Sequence, residues 1–159
     1  MSNFEDAVIQ RIRQLEREVE RLQRWERPVY IWQSYTVSWT AATTNPSIGN
    51  GILSGRYIRV GNLVIATIYL SFGSTSSVGS GIWLFSFPIT PASDALNCVS
   101  GSWGINDLGT NNFNGFVRYG GATYITLPYI GSPFYVGANY PMTWASGDKL
   151  WAFFIYEAA

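Results

Sequence analysis

Val8, Ile12, Leu15, Val19 and Leu22 follow one another at spacings of 4, 3, 4 and 3 residues. That is a heptad, with d at Val8, Leu15 and Leu22 and a at Ile12 and Val19. The stripe is narrow and its flanks are Arg and Glu. A seam of this width covers a globular core poorly but suits pairing with copies of itself. Ser2-Asn3-Phe4-Glu5 reads as a capping box that opens the helix, and Pro28 marks its end. About 22 helical residues make a rod of roughly 33 Å, which is marginal alone in water.

Two signals bear on the number of chains. Ile and Val at a with Leu at d lean towards a parallel dimer. Arg11-Ile12-Arg13-Gln14-Leu15-Glu16 points instead to a trimer, because it resembles the short trimerisation signature of coiled coils. In that pattern the Arg11 stem covers the seam and its guanidinium reaches Glu16 of the next chain. The reading adopted is a homotrimer. A dimer and a helix packed on its own domain are the alternatives.

Charge separates this segment from the rest. Residues 1–28 hold six acids and six bases, which leaves four of each for residues 29–159. Eight charges in 131 residues is about 6%, against about 25% in ordinary soluble domains. The expected division is therefore a trimerisation helix over 1–28 and a head domain over 29–159. With a formal net charge of zero and no basic stripe, binding to nucleic-acid phosphates is not expected. No apolar run approaches the roughly 18–20 residues of a membrane span, and the polar N-terminus lacks a signal-peptide core, so no membrane insertion is expected.

Helical periodicity disappears after Pro28. Strands are expected near 32–39, 55–60, 63–72, 82–87, 98–105, 113–119, 123–129 and 150–157. The segments between them are rich in Gly, Pro, Asn and Ser, and Gly61-Asn62 suggests a tight hairpin. Leu63–Leu70 and Leu150–Tyr156 are apolar on both faces, so each asks for cover on both sides. A second copy of the domain would supply it. About eight strands with long, unequal connections predict an antiparallel jelly-roll sandwich. The fold class is thus mainly β, preceded by an N-terminal trimeric coiled-coil helix.

Several stretches resemble tailed-phage structural proteins. Asn50 to Val64 is similar to their G-x-Y-x-R-x-G-x-L-V hairpin, and Gly73-Ser74-Thr75-Ser76-Ser77 to the turn that follows its apolar strand. Pro88-Ile89-Thr90-Pro91-Ala92 looks like the Pro-rich exit of the next strand, and Gly147 to Ala159 like the closing strand. The plan is also similar to the trimeric heads of complement-type and tumour-necrosis-factor-type proteins. The resemblance implies a homotrimeric fibre, spike, receptor-binding or decoration module at the surface of a virion, in contact with other virion proteins. It carries over no catalytic residue.

Chemistry is sparsely represented. The chain has no His, which excludes His-based triads, zinc sites of the usual kind and His-based pH switches. Cys98, the one cysteine, is expected to be a small buried hydrophobe. Beyond the helix the acids are Asp94, Asp107, Asp148 and Glu157, with no spacing that suggests a facing pair. Turn capping or an inter-subunit ion pair is the expectation for Asp148 and Glu157. No enzyme activity, metal or cofactor is expected. Trp103, Tyr119, Tyr140 and Trp144 lie in or beside turns, where a ring could stack under a sugar. Trp103, Asp107, Asn111 and Asn112 form the candidate ligand face, a host-surface glycan the candidate ligand. Core or interface packing is the competing reading for each ring. A non-enzymatic attachment module is the leading functional expectation; a capsid decoration protein and a secreted lectin-like or ligand-like trimer are the others.

Overall fold

The computed structural model describes residues 3–25, 30–93 and 98–159. Its internal contacts fall into two compact units, Met1–Ile31 and Trp32–Ala159. The proposed cap at Ser2, the stop at Pro28 and the carboxylate of Asp94 lie outside the described residues.

The first unit is α1, Asn3–Trp25, with Glu5 and Asp6 in its first turn. Acids there complement the positive end of the helix dipole. Its 23 residues make a rod of about 35 Å.

Among its described residues the second unit holds ten strands, all paired antiparallel, in a sheet of six and a sheet of four. The strands are β1 (Gln33–Tyr35), β2 (Trp39–Ala41), β3 (Ile52–Val60), β4 (Leu63–Ser71), β5 (Trp83–Ser86), β6 (Ser100–Asp107), β7 (Asn111–Phe116), β8 (Arg118–Gly121), β9 (Tyr124–Thr126) and β10 (Lys149–Glu157). The large sheet has the order β1-β3-β4-β10-β6-β7 and the small one β2-β5-β9-β8. About eight strands are expected for a jelly-roll sandwich, and the described residues form ten in sheets of six and four. The two added strands come from expected strands that divide between the sheets, while β3–β4, β6–β7 and β8–β9 each pair consecutive strands within one sheet. Gly61 opens the two-residue turn from Val60 to Leu63 at φ 59°, a conformation that other residues resist.

Two expected strands are divided between sheets. Residues 32–39 split into β1 in the large sheet and β2 in the small one, and 113–119 split into β7 and β8. Inward pointing does not change at either crossing. Val37 and Trp39 both enter the core, as do Gly115 and Val117. Alternation therefore continues while the hydrogen-bonding partners change.

One core lies between the layers. Val64, Ala66, Ile68 and Leu70 of β4 face it together with Leu150, Ala152, Phe154 and Tyr156 of β10. From the other layer come Trp39, Trp83, Phe85 and Ile125. Trp83 stands 4.9 Å from Trp39 and 4.6 Å from Trp144, centroid to centroid, and Trp144 is 4.9 Å from Phe72. Among the described residues of the second unit, nothing covers the second face of β4 and β10. Their second face stays open, with Trp151 47% and Phe153 45% exposed. Cys98 is likewise exposed rather than buried.

Candidate functional site

Three features present functional groups to solvent: the stripe on α1, the tip of the β6–β7 hairpin, and the loop between β9 and β10. Val8, Ile12, Leu15, Val19 and Leu22 form a continuous stripe, and each is 41–50% exposed in the single chain. Of the expected ion-pair partners, Arg11 donates to the Gln14 side chain one turn away at 2.9 Å. Among the described residues the ion pair within the chain is Arg21–Glu18, at 2.8 Å. Glu16 is exposed and open to a partner from outside.

The candidate ligand face on Trp103–Asn112 is only partly assembled. Asp107, Asn111 and Asn112 border a hollow of about 320 Å³ at the hairpin tip, with Asn106, Gly109 and Thr110. Local bonds order it: Asn106 Nδ2 donates to Asn112 Oδ1 at 3.0 Å, and the Thr110 amide to the Asp107 carbonyl at 3.0 Å. Trp103 is not part of this face. It is 2% exposed, points into the core from the middle of β6, and donates its indole N–H to the Pro128 carbonyl at 2.9 Å. Position along the strand is the reason: Asp107 shares the side of Trp103, but it lies at the hairpin tip, where burial fades. Trp103 and Ile105 share the inward side, and Gly115 of β7 leaves room for the indole. The hairpin tip thus offers amides and a carboxylate but no ring; its exposed apolar group is Leu108.

Asp148 is a buried structural anchor. At 1% exposure, its Oδ1 accepts from the Leu108 amide at 3.0 Å and its Oδ2 from the Ala145 amide at 2.6 Å. The capping reading holds for it, and it ties the β6–β7 turn to the entry of β10.

Exposed rings occur elsewhere. Phe134 is 59% exposed and lies 5.1 Å from Tyr140. With Tyr135, Asn139 and Pro133 they border a hollow of about 290 Å³. Rings beside an amide are the groups a sugar site uses. A sequence signal existed: Pro133-Phe134-Tyr135 places two rings inside the turn-rich 131–147 segment. Of the other turn-borne aromatics, Trp144 stacks in the core and Tyr119 packs near Phe87.

Among the described residues no group of three or more His, Cys, Asp or Glu could hold a metal. No helix is long and apolar enough to cross a membrane.

No protein-family model matches the chain, and no solved structure does. The chain is similar to the Mu-like prophage FluMu defective tail fiber protein of Haemophilus influenzae. The identity is 23% over 122 residues, which is 77% of this chain and 20% of the relative. The chain therefore spans about a fifth of that protein's length.

Proposed function

We propose that the chain is a non-enzymatic structural module of a tailed-phage particle: a homotrimer whose stem is α1 and whose heads serve attachment to a host surface. The observation that carries this reading is the heptad stripe, apolar throughout and about half exposed in the single chain. Three stripes closing on one another bury that surface, and Arg11 at g then meets Glu16 at e of the next chain. Similarity to a prophage tail fiber protein supports the setting.

Attachment is assigned to loop-borne groups. Asp107, Asn111 and Asn112 offer hydrogen bonds at one place, and Phe134 and Tyr140 offer stacking at another. A host-surface saccharide matches both chemistries.

Sedimentation equilibrium tests the assembly: a mass near three times 17.7 kDa is expected. A single-chain or two-chain mass at micromolar concentration contradicts the trimer. Antibody labelling of intact particles tests the location. Label on the tail agrees with attachment, and label over the capsid favours a decoration role instead.

A further inference from the structure

The outer face of the large sheet exposes large apolar side chains, Trp151 and Phe153 among them. On β10, Trp151 pairs in register with Tyr69 of β4 and Gly104 of β6. Phe153 stands between Thr67 and Ser102, and Ile155 between Ile65 and Ser100. Large side chains on β4 and β10 thus adjoin small ones on β6. The Trp151 ring lies across Gly104, where a Cβ would sit 2.5 Å from a ring carbon. On the other flank a hollow of about 560 Å³ opens among Ser54, Arg56, Thr67 and Tyr69. The face therefore presents a ridge beside a trough.

Charge is nearly absent from it. Along the outward positions of β3, β4, β10 and β6 the charged residues are Arg56, Lys149 and Glu157. Arg56 is stacked on Trp32 at 5.4 Å, and the other two sit at opposite ends of β10. Exposed apolar surface of this extent marks an interaction site. A copy of the same chain suits it because covalent linkage supplies one. β1, an edge strand of this sheet, begins at Gln33, eight residues after the last residue of α1. Eight residues span at most about 28 Å. Chains joined along α1 must then hold these sheets near one another, and two nearly uncharged faces meet without like-charge repulsion.

We propose that this face, centred on Tyr69, Trp151 and Phe153, is the contact between the heads of neighbouring copies. The inference rests on reading α1 as a self-associating seam. Ridge and trough on one surface allow the head-to-tail contact by which a closed ring is built.

The test uses the full chain carrying Ser102→Cys, a thiol on this face beside Phe153, with the exposed Cys98 as internal reference. Alkylation is followed by peptide mass spectrometry on material whose mass is set by sedimentation. In the oligomer, the new thiol should react at least about tenfold more slowly than Cys98. Adding Trp151→Glu should restore rapid reaction while the stem keeps the chains together. Equal rates in a chain that sediments as an oligomer overturn the head contact and leave the stem intact, with the face free for a different virion protein. Slow reaction that survives Trp151→Glu overturns it too. A single-chain mass overturns both the stem reading and this inference.

Discussion

Trp39 and Trp103 are both buried, but they differ in one hydrogen bond. Trp103 donates its indole N–H to the Pro128 carbonyl, whereas the Trp39 N–H meets no acceptor among the described residues. Changing either to Phe removes similar volume. At Trp103 the change also orphans a buried carbonyl; at Trp39 it removes an unpaired donor. Trp103→Phe should therefore cost about 1–2 kcal/mol more than Trp39→Phe. Urea unfolding with unchanged slope would show this as a lower midpoint. Two tyrosines set an alkaline limit. Burial raises the phenol of Tyr35, and it pushes Tyr156 up to about 12 against the hydrogen bond with Ile89. The unfolded phenols titrate near pH 10. The folded state thus holds these protons more tightly, so their contribution is complete below pH 10 and is lost as pH rises towards about 12. Thermal midpoints taken stepwise from neutral to alkaline pH should fall beyond that point, less steeply in Tyr156→Phe.

At the scale of elements, two features invite mutation. Asp148 joins the turn after β6 to the segment before β10 through the amides of Leu108 and Ala145. Asp148→Ala should cost about 2–3 kcal/mol, because the amides of two separate segments lose the acceptor that joins them. Asp148→Asn keeps one acceptor and should cost less, both read from chemical denaturation. In α1, Leu15 lies at the middle of the stripe. Leu15→Asp would place a carboxylate in every chain at one buried layer of the proposed stem, at several kcal/mol per assembly. Helical circular dichroism should fall; an unchanged helical signal and unchanged mass would mean that the seam lies elsewhere.

The molecule as a whole consists of a helix whose apolar stripe is about half exposed and a sandwich with its own core. Their unfolding should separate. The helical signal should melt first, at a midpoint that rises with protein concentration, because association stabilises it by mass action. The sandwich signal should follow at higher temperature. Scanning a dilution series by circular dichroism checks this, and a single concentration-independent transition would contradict an associating stem.

The sequence by itself determined the periodic features. These signals are local: the heptad placed α1, apolar runs placed β4, β10 and the second half of β3, and Gly61-Asn62 placed the hairpin between β3 and β4. Absence of His and a dearth of acids were equally legible. Tertiary structure alone decided which side of each strand faces the core. Trp103 sits in a polar, turn-rich neighbourhood, yet its parity with Ile105 buries it; Trp151 sits in an apolar run, yet its parity with Phe153 exposes it. The passage of residues 33–41 from one sheet to the other left no mark either, since Val37 and Trp39 stay inward throughout. Periodicity reports that two faces exist; only packing against distant segments of the chain chooses which of them meets water.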